Sequence, residues 1–90
     1  MYELIYTGQF KKSLKKCVKR GLNIQDLIEV LDILQRTGEL PSKYKPHKLS
    51  SDYQGRWECH IKPNWLLIWE QDDNSLKLIL IDTGTHDDLF

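Results

Sequence analysis

Ninety residues, 40% of them hydrophobic and 29% charged, fit one soluble domain and leave too little material for two hydrophobic cores. The longest apolar runs, around Trp65–Trp69 and Leu78–Ile81, are far too short to span a bilayer, which excludes a helical membrane protein. The net charge of zero hides an asymmetry: residues 1–62 carry a net +5 and residues 63–90 a net −5, so a polyanion can still be attracted locally, within a Debye length of about 8–10 Å.

The chain opens with Tyr2–Tyr6, which favours β-structure and reads as a strand of a cytoplasmic protein rather than a signal peptide, having no basic start and no long apolar run. Thr7-Gly8 punctuates. Phe10, Leu14, Cys17 and Val18 then recur at helical spacing, with Lys11, Lys12, Lys15, Lys16 and Lys19 on the remaining surface. Gly21 suits a left-handed helix end. Asn23 is placed to cap a second helix whose stripe is Ile24, Leu27, Ile28, Leu31 and Leu34, stopped by Gly38 and Pro41. Two adjacent amphipathic helices must bury one face on something, and the rest of the chain supplies a sheet.

His47–Ser50 reads as a short strand and residues 51–55 as a turn. Arg56–Lys62 alternates, with Trp57, Cys59 and Ile61 on one side and Arg56, Glu58, His60 and Lys62 on the other. Pro63-Asn64 turns the chain into Trp65–Glu70, apolar on both faces as a central strand should be. Asp72-Asp73-Asn74 makes a hairpin to the strand Leu76–Asp82, and an eight-residue tail follows. The expected fold is α+β in the order β-α-α-β-β-β-β, a helical hairpin on one face of a twisted antiparallel sheet, with the polar face partly open. Cys17 and Cys59 fall on apolar faces and read as buried thiols; there is no Cys-x-x-Cys.

Chemistry points to the only three histidines, His47, His60 and His86, all near strand ends or turns in the second half. Histidine moves protons near neutral pH. Antiparallel neighbours would bring His60 and His86 together. Three histidines are also enough for zinc, but none of the usual short spacings occurs, so no metal or cofactor is expected. Trp57 and Trp69 read as core; Trp65, following a polar turn, is open to either core or base stacking. The lysines of the first helix are a solvated face or a set of phosphate contacts.

Three segments carry a resemblance. Tyr44-Lys45-Pro46-His47-Lys48-Leu49, Glu58-Cys59-His60-Ile61-Lys62-Pro63-Asn64-Trp65-Leu66-Leu67-Ile68 and Thr83-Gly84-Thr85-His86-Asp87-Asp88-Leu89-Phe90 resemble, in order and separation, the motifs of YafQ-like toxins of the RelE/ParE superfamily. The resemblance implies a RelE-like fold and an endoribonuclease that cuts mRNA in the ribosomal decoding site without a metal. It also implies a cognate antitoxin as partner and operator DNA contacted only through the antitoxin complex. Carried over to this chain, the functional positions are His47, His60, Trp65, His86 and Phe90. The implied reaction is attack of the RNA 2′-hydroxyl on the adjacent phosphorus, with His60 or His47 as base and His86 as acid, the two labels being exchangeable. Lys48, Arg56 and Lys62 would stabilise phosphate charge, and Trp65 and Phe90 would stack or wedge a base. The family usually has aspartate where this chain has Asn64, whose amide can bind a phosphate oxygen or a ribose hydroxyl but cannot act as a base. A ParE-like gyrase inhibitor and an inactive, antitoxin-bound repressor are the rival readings.

Overall fold

The computed structural model describes residues 1–49 and 55–90. Strand β1 (Glu3–Tyr6) ends at Thr7, whose Oγ1 accepts the Phe10 amide at 3.1 Å and caps helix α1 (Gly8–Lys19), a cap worth about 1 kcal/mol. Asn23 caps helix α2 (Ile24–Thr37) through Oδ1, as its side-chain chemistry predicts. Gly38 closes α2 in the left-handed region (φ 74°), where the Tyr2 ring lies so close that a Cβ would sit 2.6 Å from its hydroxyl. A 3₁₀ turn (Ser42–Tyr44) leads to β2 (His47–Lys48), β3 (Arg56–Lys62), β4 (Trp65–Asp72) and β5 (Lys77–Gly84). Of the turn expected over residues 51–55 only Gly55 is described; residues 51–54, and Ser50 at the end of the first short strand, lie outside the described residues.

The sheet order is β1-β5-β4-β3-β2. Strands β2 to β5 pair antiparallel, whereas β1 runs parallel to β5, with Glu3 opposite Lys77 and Tyr6 opposite Leu80. This corrects the wholly antiparallel sheet expected from the sequence. Only strands joined by a hairpin are bound to be antiparallel, and nearly the whole chain separates β1 from β5. The tail also holds a short helix, α3 (His86–Leu89), too short to show an apolar period in the sequence.

Both helices cover one sheet face. Phe10 and Cys17 of α1 and Leu27, Val30, Leu31 and Leu34 of α2 pack with Cys59, Ile61, Trp65, Leu67, Trp69, Leu78 and Leu80. The α2 stripe is thus the i, i+3, i+4, i+7 row from Leu27 to Leu34. Ile24 and Ile28 lie on its flank and are exposed, as is Val18 on α1, against expectation. Cys17 and Cys59 are free and buried, and burial pushes the Cys59 thiol up to about 12, with the Glu58 charge adding to the effect. No helix among the described residues is long and apolar enough to cross a membrane.

Trp65 begins β4 in the core at 1% exposure, with its indole Nε1 donating to Thr83 Oγ1 at 2.9 Å. The Thr83 hydroxyl donates onward to the Leu66 carbonyl at 2.7 Å, so no polar atom in this chain of contacts is left bare. Replacing Trp65 by alanine should therefore cost about 3–5 kcal/mol of stability, the usual cost of emptying a large aromatic site. Urea unfolding of the two proteins checks this; a loss under 1 kcal/mol would mean that the ring is not core.

Candidate active site

Strand alternation decides what β3 shows. Cys59 and Ile61 face the helices, so Arg56, Glu58 and His60 lie on the opposite face. His47 stands directly across from Glu58 on β2, and its Nε2 is 3.2 Å from Glu58 Oε1. Cross-strand neighbours share a face, and a diagonal neighbour lies about 7–8 Å away. His47, Glu58 and His60 therefore form one cluster. His60 is opposite Leu66, and Leu66 is opposite Gly84, so the third histidine, two residues past Gly84, emerges at the same end of the sheet. Strands β3 and β5 are not neighbours, as the sequence reading had supposed; β4 separates them.

Hydrogen-bond partners fix which ring nitrogen carries a proton. A carbonyl only accepts, so His60 Nδ1 donates to the Pro63 carbonyl at 3.3 Å, and the neutral ring then has its lone pair on Nε2. His47 Nδ1 likewise donates to the Lys45 carbonyl at 3.0 Å. With Nδ1 so engaged, the His47 Nε2 contact to the Glu58 carboxylate is a hydrogen bond only if a proton lies between them. His47 thus has no free nitrogen with which to take a proton from a substrate, whereas His60 does. Glu58 itself is 6% exposed, a buried acid beside the buried Leu66 and Ile68 of the same face. The sequence placed it on that face without assigning it a role; its position two residues before His60 was the available signal.

His86 is held by its own short helix. Thr85 Oγ1 accepts the Asp88 amide at 3.2 Å and Asp88 Oδ2 accepts the Thr85 amide at 2.9 Å, a reciprocal capping box readable as Thr-x-x-Asp. Arg20, at the end of α1, donates to the same Asp88 oxygen at 2.5 Å and ties α3 to the helical layer. Gly84 permits this approach, since a Cβ there would meet Asp88 Oδ2 at 2.9 Å. The Arg20 guanidinium first, and the Thr85 amide second, hold the Asp88 carboxyl well below the usual carboxylate range. The His86 ring lies 5.1 Å from the exposed Phe90 ring, so the two travel together.

Three expected contacts, Trp65, Lys48 and Lys62, are otherwise placed. Trp65 is a correction: it is enclosed in the core and has no face to offer a base. Lys48 is opposite Trp57 and lies 5.6 Å over that ring, on the face away from His47. Lys62 follows a register shift after His60, pairs with Trp65 and reaches Asp26 of α2 at 3.6 Å. Arg56 stays on the site face, where its Nε donates to Glu70 at 3.1 Å. Asn64 is exposed in the two-residue turn beside the carbonyl that holds His60. Among the described residues no group of three His, Cys, Asp or Glu side chains is arranged to hold a metal ion.

The family model described as the bacterial toxin of type II toxin–antitoxin systems, YafQ, matches residues 2–90. The chain is 36% identical over 89 residues to the mRNA interferase toxin YafQ of Escherichia coli B/BL21-DE3, covering 98% of this chain and 95% of that one. The crystal structure of the E. coli DinJ–YafQ complex superposes with a TM-score of 0.89 at 34% identity, over 100% of this chain and 99% of that one. A metal-bound toxin from Helicobacter pylori superposes with a TM-score of 0.91 at 33% identity, over the whole of both chains.

The Asp88 clamp has a definite pH sign. A carboxyl whose folded pKa is depressed stabilises the fold above its ordinary value, about 3.9, and the contribution is lost as pH falls through the depressed value. Protection of the Leu89 and Phe90 amides from exchange, relative to their intrinsic rates, should thus fall in Asp88→Asn near neutral pH, and in the wild type only below about pH 4. Equal exchange rates in the two proteins at pH 6 would show that Asp88 does not hold α3.

Proposed function

Since the chain belongs to the YafQ family of bacterial type II toxins, we propose that it is an mRNA interferase that cuts mRNA on the ribosome by attack of the RNA's own 2′-hydroxyl. The observation that carries the mechanism is the pair of fixed ring orientations, His60 with Nε2 open and His47 with both nitrogens engaged. His60 Nε2 takes the 2′-hydroxyl proton, the 2′ oxygen bonds to phosphorus, and the P–O5′ bond breaks. His86 gives a proton to the departing 5′ oxygen. The products are a 2′,3′-cyclic phosphate and a free 5′-hydroxyl. Arg56, on the site face, and His47, held in place by Glu58 and the Lys45 carbonyl, face the charge that builds on the phosphoryl oxygens. Exposed Phe90, next to the His86 ring, is an aromatic group available to a base.

The E. coli relative's complex with DinJ supports a cognate antitoxin as the partner of this chain. Contact with operator DNA through that complex is part of the proposal. The proposed workplace is the decoding site of a cytoplasmic ribosome. In this scheme His60 and His86 carry both protons and the RNA supplies the nucleophile, so the proposed reaction calls for no metal. A transition metal added in excess should compete for the His60 lone pair and inhibit.

His60→Ala and His86→Ala should each lower single-turnover cleavage of mRNA on programmed ribosomes by about 10²–10⁴, the usual worth of a positioned base or acid. Both proteins should unfold at the wild-type urea midpoint, since neither side chain is core. A folded His60→Ala protein that cuts at the wild-type rate would remove His60 from the mechanism. Cleavage should also survive chelation once ribosome integrity is controlled; stoichiometric bound metal whose removal abolishes cutting would contradict the metal-free reaction. Asn64→Asp would put a negative charge beside His60, and an opposite charge favours the imidazolium. The corresponding limb of the pH–rate profile should move upward, and superimposable profiles would show that position 64 does not touch the reacting histidine.

A further inference from the structure

Strand β2 pairs only with Trp57 and Glu58, so beyond Glu58 the outer side of β3 has no strand partner among the described residues. The 3₁₀ turn and the start of α2 stand off from it and leave a cleft of about 320 Å³, within the range of small-ligand sites. His60 forms part of its wall, and Lys43, Lys45 and Glu29 line it. The remaining charged lining residues, Lys62 and Asp26, face one another at 3.6 Å. The net charge available to a ligand thus comes from Lys43, Lys45 and Glu29.

Lys43 Nζ lies 5.0 Å over the Tyr44 ring, itself buried, which fixes the inner wall. Lys45 has φ 49°, a left-handed conformation rare for a residue with a side chain. The same residue offers its carbonyl to His47 Nδ1 while its side chain lines the cleft walled by His60. One strained residue therefore joins both histidines of the cluster to the cleft. Neither Lys45 nor Glu29 has an ion-pair or hydrogen-bonded side-chain partner among the described residues.

We propose that this cleft is a nucleotide subsite for the mRNA strand next to the scissile bond, with Lys43 and Lys45 on a phosphate and Glu29 accepting from a base amino group or a ribose hydroxyl. The inference deepens the mRNA-cleaving reading and rests on it. Two ammonium groups suit a phosphate, which they attract without reading sequence. A carboxylate accepts only, so it favours a base edge that presents an amino group, and it would turn away an edge that presents acceptors alone. The lone carboxylate also makes the cleft a poor seat for unbroken phosphate backbone, which favours a base or sugar beside a single phosphate. Ribosomal RNA offers the same chemistry as mRNA, so the test must separate the two.

The probe is an mRNA whose decoding-site codon is 2′-deoxy throughout, which cannot be cut by its own hydroxyl. Affinity of the toxin is measured for ribosomes programmed with this mRNA and for vacant ribosomes. Both lysines serve one phosphate, and losing that contact to a single strand lowers the salt slope by about 0.7 and weakens binding by roughly fivefold near 0.1 M salt. Lys43→Gln/Lys45→Gln should therefore lose about fivefold on programmed ribosomes and less than about 1.5-fold on vacant ones. Lys43→Arg/Lys45→Arg, which keeps the charge, should bind programmed ribosomes within about twofold of wild type. A loss at least about threefold greater on programmed than on vacant ribosomes supports the subsite. A smaller difference overturns it, and equal loss on both gives the lysines to ribosomal RNA instead. Glu29→Gln should alter cutting preference at one codon position on unmodified mRNA, and an unchanged preference would remove Glu29 from the subsite. Wild-type protein that fails to cut unmodified mRNA would contradict the nuclease reading itself, while the binding comparison still decides the cleft.

Discussion

The register of β3 against β4 is the constraint on which the site depends. With Cys59 opposite Leu67 and Trp57 opposite Trp69, the apolar residues of both strands meet under the helices, and Glu58 and His60 are turned to the other face. A slip by one residue would bury the carboxylate and the imidazole against Leu27 and Leu34 and expose Cys59 and Ile61. The energy that prevents the slip comes from the core, where Trp65, Leu67 and Trp69 are each at or below 1% exposure. At roughly 25 cal/mol per Å² of apolar surface removed from water, these three side chains contribute several kcal/mol to that register. Leu66 and Ile68 are buried on the site face as well, so packing on both faces of β4 holds the site.

The same ladder explains which elements could be read from the amino-acid sequence. The helices, their caps and the alternation of β3 are local patterns, and Asn23, Gly38 and Cys59 do what their chemistry suggests. The parallel sense of β1 is a long-range property, set by where the helical hairpin returns the chain, and no local pattern encodes it. Helix α3 was legible in principle, because Thr85 and Asp88 have capping-box spacing, but four residues are too few for an apolar period to show.

Within the site, the three histidines were visible by type and their neighbours were not. Trp65 followed a polar turn and looked accessible, yet Thr83 supplies a buried acceptor for its indole and draws it inward. Lys48 and Lys62 were on the right strands; alternation sends one over Trp57, and a register shift brings the other to Asp26. Glu58 shows the reverse. A buried acid opposite a histidine needs the pairing of β2 with β3 before it can be recognised. It also bears on Asn64, since a carboxylate is present in the histidine cluster even though position 64 lacks one.

These arrangements make one chemical claim: the site moves protons to and from RNA oxygens, and the nucleophile is supplied by the RNA. The measurement that tests it most directly is the chemistry of the cut ends, read on mRNA recovered from ribosomes treated with the purified protein. A 2′,3′-cyclic phosphate on the upstream fragment and a 5′-hydroxyl on the downstream fragment are the predicted ends. A 3′-hydroxyl with a 5′-phosphate, or mRNA left whole by folded protein, would contradict the account.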